Sequence, residues 1–204
     1  KGAWTSKFEK DLTRDDLFTL RDSSKVACTM MIQKGTFRYI VGNDYQAIEL
    51  PYGGQVFSMV VILPASATEI HSFIESFSIQ RWTALIGGFE SNELTLMFPK
   101  FKLEYSVSLR EPLVALGMEI AFNPGRADFT RINKAGGLFI AEAKHKTYVE
   151  VNEEGTEAAA VTSIGIGRDS EGNMMRINRP FLFLIRERNS GAILFVGKIL
   201  NPNG

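Results

Sequence analysis

Three side chains in this sequence have chemistry that commonly supports catalysis or metal binding: the single cysteine, Cys28, and the two histidines, His71 and His145. A catalytic nucleophile needs a base within hydrogen-bond reach, and a zinc site needs several such ligands close together. The three residues are far apart along the chain, and no Gly-x-Ser-x-Gly, Cys-x-x-Cys or His-Glu-x-x-His motif occurs. We therefore expect no enzyme active site, no cofactor and no metal site.

The composition is that of an ordinary globular protein. Of 204 residues, 45 % are hydrophobic and 23 % are charged. Lys plus Arg and Asp plus Glu both number 23, so no net charge favours a nucleic acid or an anionic membrane as a partner. No run approaches the roughly 18 apolar residues that a membrane span needs. Cys28 lies in the apolar run Val26–Met31, which predicts a buried, inert thiol.

One long segment, Glu153–Asn173, separates two predicted strands. Structureless loops longer than about 12–15 residues are uncommon in compact domains and are usually functional or disordered. Small residues at Ala158–Ala160 are followed by β-forming residues at Val161–Ile166. The pattern predicts a loop that could become a strand; a solvated loop, or a helix over Thr156–Thr162, stays open as an alternative. One face of that strand would carry Thr156, Ala158, Ala160, Thr162, Ile164 and Ile166.

The first half of the chain mixes strands and short helices. Alternation over 47–64, interrupted at 52–55, predicts a hairpin of two half-buried strands. Apolar residues at i, i+3, i+4 and i+7 predict an amphipathic helix over 70–77, and a second short helix follows at 78–86. Alternation over 94–105 then predicts further strand.

The second half predicts the same mixture. Ser108–Glu111 has capping-box spacing for a helix that ends at Gly117, and residues 139–151 read as a strand. Residues 181–185 and 192–196 are almost wholly apolar, which predicts a core hairpin that is buried on both faces. The predicted fold class is α+β, with mostly antiparallel sheets and a few short helices.

Several motifs occur in an order that resembles the serpin family over all 204 residues. They are Lys1-Gly2-Ala3-Trp4, Leu63-Pro64, Phe98-Pro99-Lys100-Phe101, Glu153-Glu154-Gly155-Thr156-Glu157-Ala158-Ala159, Asn178-Arg179-Pro180-Phe181-Leu182-Phe183, and Phe195-Val196-Gly197-Lys198 followed by Asn201-Pro202. The resemblance implies a serpin fold. Residues 1–204 would form the C-terminal portion of one domain whose N-terminal half is absent, with a reactive-centre loop at about 153–179.

The resemblance also implies a mechanism. A protease attacks the exposed loop and forms an acyl-enzyme, and the loop then inserts into the central sheet, a known instance of strand addition that requires a metastable native fold. The hinge that enters first would be Glu153, Glu154, Gly155, Thr156, Glu157, Ala158, Ala159 and Ala160. Thr156 is small and uncharged, which favours an inhibitory hinge because a charge there would lose its hydration on entry.

Three further residues would act as a structural switch by resemblance. Lys100 and Glu153 match a family salt bridge, although two solvated charges would also explain them. His145 matches a family histidine that makes hydrogen bonds between strands, with an ordinary core histidine as the alternative. Trp4 would pack where insertion begins.

The family spacing, counted from Gly155 or back from Pro180, places the cleaved bond at Asp169-Ser170. A shift by one residue would place it at Arg168-Asp169 and select a trypsin-like protease. Acidic residues after the cleaved bond usually disfavour such enzymes, so the Asp169 register is favoured.

The resemblance thus predicts an extracellular inhibitor of a serine-type protease, or of a cysteine protease, that needs the N-terminal half of its domain as a partner. An intracellular location stays open. The alternatives are a non-inhibitory serpin with a carrier, storage or chaperone role, and an inactive truncated serpin.

Overall fold

The computed structural model describes residues 2–65, 70–156 and 173–204. The strands are β1 (Gly2–Ala3), β2 (Arg14–Thr19), β3 (Lys25–Val41), β4 (Tyr45–Pro51), β5 (Phe57–Pro64), β6 (Glu90–Pro99), β7 (Phe101–Ser108), β8 (Lys144–Val151), β9 (Gly155–Thr156), β10 (Met174–Arg176), β11 (Phe181–Glu187) and β12 (Ile193–Ile199). The α-helices are α1 (Ile70–Ser76), α2 (Ile79–Gly87) and α3 (Arg110–Leu113), and single turns of 3-10 or π helix lie at Lys10–Leu12, Val114–Met118 and Glu119–Phe122.

Most strands join one large sheet. Its order is β10-β6-β3-β4-β5-β11-β12, and β2 also pairs with β3. Every pair is antiparallel except β10 with β6, which is parallel. The strand β3 joins the two parts of this sheet because it is 17 residues long and changes partners from β2 and β6 to β4 along its length.

The central strands are more buried than the alternating pattern suggests. The hairpin of β4 and β5 forms as predicted, but β5 is buried from Ser58 to Pro64, whereas half-buried strands were expected. The reason is that both faces of the sheet are covered. On one face Trp82 and Leu85 pack against Val60 and Leu184. The other face is covered by an aromatic cluster of Phe98, Phe101, Phe181 and Phe183, with ring centroids 5.5–6.0 Å apart.

Both short helices of the first half are confirmed. α1 buries Ile70 and Phe73, in agreement with the predicted spacing. Ser78 caps α2 by accepting a 3.3 Å hydrogen bond from the amide of Arg81, which satisfies one of the free donors at a helix N-terminus.

Two predictions for residues 103–149 are wrong. The capping box does not form: Leu109, not Ser108, is the N-cap of α3, because Ser108 is still the last residue of β7. The chain then continues as a π turn in which Gly117 has a φ of +95°. The strand predicted from Phe139 begins only at Lys144, since the residues before it have no regular structure.

The C-terminal hairpin is only partly buried. β11 is a core strand, as predicted, but Ile193, Leu194, Phe195 and Val196 of β12 are 44–70 % exposed. β12 is the edge strand of the sheet within the described residues, and the elements described there leave the side chains of 193–196 largely uncovered on both faces. The sequence shows correctly that both faces of β12 are apolar. The prediction that both faces are buried is wrong for the described residues.

The chain divides into two compact units, Lys1–Lys102 with Glu150–Gly204, and Leu103–Val149. The larger unit contains the eight-stranded sheet, and Cys28 is buried there as a free thiol. The smaller unit contains α3. Across the described ranges, no helix has the length and apolar character needed to cross a membrane.

Candidate functional site

The predicted loop departs from one sheet and returns to another. At its start, β9 pairs antiparallel with β1, so that Gly2 faces Thr156 and Ala3 faces Gly155. At its end, β10 runs parallel to β6, with Met175 opposite Leu96. Residues 157–172 lie outside the described structure. They include the hinge residues Glu157, Ala158, Ala159 and Ala160 and the candidate bond residues Arg168, Asp169 and Ser170.

The carboxylate of Glu153 is the centre of polar contacts at the loop's start. Glu153 is 6 % exposed. Lys100, at the junction of β6 and β7, approaches its two oxygens at 3.0 and 2.9 Å. The hydroxyl of Thr13 donates a further 2.9 Å hydrogen bond to Oε1. A buried carboxylate is thus held by one cation and one neutral donor, which anchors the first residue of the predicted hinge.

These contacts set the pKa of Glu153. Burial by itself raises the pKa, but the hydrogen bonds from Lys100 and Thr13 outweigh burial and hold the pKa below the ordinary glutamate range. Glu153 is therefore ionised at neutral pH. Its contribution to stability is present above the pKa of the unfolded chain, about 4.3, and is lost as the pH falls through the lowered pKa of the folded state.

Glu154 forms a second polar cluster at the surface. Its carboxylate contacts Lys7 at 2.7 Å and Lys10 at 3.0 Å. Hydrogen bonds from these two lysines lower the pKa of Glu154. The segment around Lys7 and Lys10 is thereby tied to the start of the loop.

Trp4 is a buried connector between the loop and the large sheet. Its indole Nε1 donates a 2.9 Å hydrogen bond to the carbonyl of Asn152, and its amide donates to the carbonyl of Glu154 at 3.1 Å. The ring stacks on Tyr52 with centroids 4.8 Å apart and planes 9° apart. Since Tyr52 lies directly after β4, this stack connects the loop's first residues to the core.

Gly155 occupies a position that only glycine accepts readily. Its φ is +140°, a conformation that residues with a side chain rarely adopt. A Cβ atom at this position would lie 2.6 Å from Cα of Ala3 and 2.8 Å from the amide nitrogen of Trp4. The close antiparallel approach of β9 to β1 thus depends on the missing side chain.

His145 belongs to the smaller of the two units. It is exposed on β8 in the smaller unit, and its Nε2 is 2.8 Å from the hydroxyl of Thr147 in the same strand. The described contact is therefore within one strand, whereas the resemblance implies contacts between strands. Among the predicted switch residues, the structure brings together Trp4, Lys100 and the Glu153–Gly155 segment within the larger unit.

Sequence reasoning missed several partners at this site: Thr13, Lys7, Lys10 and Tyr52. Thr13 and Glu153 are 140 positions apart in the chain, and no local pattern marks such a pair. The antiparallel pairing of β9 with β1 accompanies these contacts in the folded chain.

The far end of the loop is also held firmly. Arg176 on β10 forms an ion pair with Asp16 on β2, and the amide of Ile177 donates to the carbonyl of Met97 at 2.9 Å. Arg179 donates a 2.9 Å hydrogen bond from Nε to the carbonyl of Pro64, and burial lowers the pKa of its guanidinium. Both ends of the loop are therefore fixed on the larger unit.

Glu153→Gln is expected to lower the free energy of unfolding at pH 7 by about 1–2 kcal/mol, because it keeps the shape but removes the charge that Lys100 approaches. The difference from the unchanged chain should shrink as the pH falls, since protonation then neutralises Glu153 as well. Urea unfolding between pH 3 and pH 7 measures this. Glu75→Gln, at an exposed position on α1, is the matched control, and equal effects of the two changes would contradict the role given to Glu153.

The β1–β9 strand pair lies beside the buried Trp4 and the Lys100–Glu153 ion pair on an α+β scaffold. Comparisons with known proteins identify the class of protein to which the chain belongs. The sequence model described as "Serpin (serine protease inhibitor)" matches residues 1–202. Human antithrombin-III is 37 % identical over 211 residues, covering 99 % of this chain and 45 % of that protein. Human leukocyte elastase inhibitor is 37 % identical over 215 residues, covering 99 % of this chain and 56 % of its own length.

The solved structure of human thyroxine-binding globulin in complex with thyroxine has the same fold, with a TM-score of 0.86 and 26 % identity, covering 100 % of this chain and 54 % of that one. The chain belongs to the serpin family and has the serpin α+β fold. It spans about half the length of the relatives that it matches.

Proposed function

We propose that this chain supplies the loop-bearing, C-terminal portion of one serpin domain that inhibits a serine-type protease by loop cleavage and strand insertion. The observation that carries the proposal is the start of the loop at β9, which already pairs as a strand with β1 beside the Lys100–Glu153 ion pair. The names of antithrombin-III and leukocyte elastase inhibitor support inhibition as the activity.

The exposed apolar strand β12 supports the need for the remaining part of the domain. Four consecutive apolar residues of β12, at 193–196, are 44–70 % exposed on both faces, and exposed apolar patches commonly mark an interaction surface. In this proposal the N-terminal portion of the domain packs there, and the loop inserts only when both portions are present. An extracellular location belongs to the same proposal and rests on the resemblance alone.

The test compares this chain alone with a chimaera in which the N-terminal portion of leukocyte elastase inhibitor precedes Lys1. Each protein is mixed with a panel of serine proteases and one cysteine protease. The chimaera is expected to form an SDS-stable covalent complex with at least one protease, whereas the chain alone should only be cleaved. Cleavage of the folded chimaera without any complex, and without a rise in its thermal stability after cleavage, would contradict inhibition.

The cleaved bond is proposed to be Asp169-Ser170. Mass spectrometry of the fragment released by the inhibited protease is expected to give a C-terminal piece that begins at Ser170, and Asp169→Ala should slow complex formation at least tenfold. Arg168→Ala is the matched variant, and it should have a smaller effect. A fragment that begins at Asp169, with the larger effect in Arg168→Ala, would instead place the bond at Arg168-Asp169 and indicate a trypsin-like target.

A carrier role is the second candidate, and the structural similarity to thyroxine-binding globulin favours it. Titration of the folded chimaera with thyroxine distinguishes the two functions. Tight binding of thyroxine without covalent complexes would favour the carrier, and covalent complexes without thyroxine binding would favour the inhibitor.

A further inference from the structure

A cavity of about 180 Å³ opens beside Trp4 in the larger unit. On the scale where a single water needs on the order of 10–15 Å³, this volume accommodates a small organic molecule. Its walls differ in character. One part is aromatic and the other is charged or polar, and the lining residues used below are Trp4, Phe37, Arg38, Glu49, Gln55 and Arg188.

The charged wall is built around one buried carboxylate. Glu49, on β4, is 2 % exposed. Its Oε2 accepts a 2.6 Å hydrogen bond from Arg38, and its Oε1 accepts one of 2.7 Å from the hydroxyl of Ser58. Two more guanidinium groups approach Oε1, that of Arg188 at 3.5 Å and that of Arg186 at 3.6 Å.

Positive charge therefore exceeds negative charge at this wall. Three guanidinium groups surround Glu49, of which those of Arg38 and Arg188 line the cavity and that of Arg186 does not. Glu49 is the only acidic residue among the described residues that line the cavity. Since two guanidinium groups line the cavity against one carboxylate, a second anion in the cavity would be stabilised by the excess positive charge.

The arrangement of the two walls indicates what kind of anion fits. Arg38 and Arg188 both line the cavity, and guanidinium groups hold carboxylates through paired hydrogen bonds. Trp4 and Phe37 are buried aromatic residues at the same cavity, 3 % and 8 % exposed. An inorganic anion would use only the charged wall, whereas an organic acid would also cover the aromatic one.

We propose that this cavity binds a small organic carboxylate, with its carboxylate group on Arg38 and Arg188 and its apolar part against Trp4 and Phe37. Gln55 lines the same cavity and offers an amide to a further polar group of the ligand. The site consists wholly of described residues in the larger unit. It does not depend on protease inhibition.

The experiment titrates the 204-residue chain with three probes and follows binding by calorimetry. Benzoate carries both the charge and the apolar ring, benzamide keeps the ring without the charge, and inorganic phosphate keeps charge without the ring. Benzoate is expected to bind at one site at least tenfold more tightly than either of the other two. No measurable binding of benzoate, or phosphate binding as tightly as benzoate, would overturn the proposal.

Variants locate the site. Arg188→Gln should weaken benzoate binding at least tenfold, whereas Arg131→Gln, an exposed arginine in the smaller unit, should leave it unchanged. Equal affinities of Arg188→Gln and the unchanged chain would overturn the assignment.

A measurement on the unchanged chain covers the case in which Arg188→Gln fails to fold. The indole N–H of Trp4, assigned by comparison with Trp82→Phe, should shift in nuclear magnetic resonance spectra as benzoate is added. If only the indole signal of Trp82 shifts, or if neither indole signal shifts, the ligand does not bind beside Trp4 and the proposal is overturned.

Discussion

Gly155→Ala is expected to lower the free energy of unfolding of this chain by about 2–4 kcal/mol and to separate the start of the loop from β1. Two effects add. The φ of +140° is strained for alanine, and the added Cβ would lie 2.6 Å from Cα of Ala3. All three of the nearest atoms, in Gly2, Ala3 and Trp4, belong to the backbone, which cannot move aside as a flexible side chain can, so the β1–β9 pair must open.

Urea unfolding measures the loss of stability, and amide hydrogen exchange locates it. The amide of Trp4, which donates to the carbonyl of Glu154, should exchange much faster in Gly155→Ala, whereas amides at the centre of β5 should remain protected. Gly87→Ala is the control, because a Cβ at that helical position meets no atom within 4 Å. Unchanged exchange at Trp4 would show that the loop's start does not depend on Gly155.

Thr156→Arg is expected to convert the proposed inhibitor into a substrate. Position 156 is the next residue of β9 after Gly155 and would enter the sheet early during insertion. An arginine there would have to leave water without an assigned partner, at a cost of several kcal/mol. Insertion would then be slower than hydrolysis of the acyl-enzyme, and the moles of inhibitor consumed per mole of protease should rise at least tenfold.

The measurement uses the chimaera with the N-terminal portion of leukocyte elastase inhibitor and the protease that it traps. Thr156→Ser, which keeps a small uncharged side chain, is the matched control and should trap protease normally. Covalent complexes of Thr156→Arg in normal yield would mean that this residue does not enter the sheet, and that the proposed mechanism of strand insertion is wrong for this protein.

Local patterns in the sequence were sufficient to predict those helices and strands whose formation depends mainly on neighbouring residues in the chain. The helices α1 and α2 follow from apolar residues at helical spacing, and the β4–β5 hairpin follows from alternation around a turn. The capping box at Ser108 failed because the same residues also suit the end of β7, and strand pairing took precedence. Secondary structure is therefore least certain where one element ends as another begins.

Part of the predicted hinge could also be identified from local sequence motifs. The position of Gly155 and the Lys100–Glu153 match were apparent from ordered motifs, but the reason for the glycine was not. Only the close antiparallel approach of β1 shows why a side chain cannot be placed there. The contacts of Thr13 with Glu153, and of Lys7 and Lys10 with Glu154, could not be predicted from the sequence, because they form only in the tertiary structure.

By itself, the sequence determined the family and the class of fold, and it predicted a loop with small residues in alternation, because these depend on residue order and residue type. Only the tertiary structure decided which charged side chains contact each other. It placed three guanidinium groups around the buried Glu49, and it left the apolar strand β12 exposed on both faces. The physical reason is that hydrophobicity and charge belong to a residue, whereas burial and pairing belong to the neighbours that the fold brings to it.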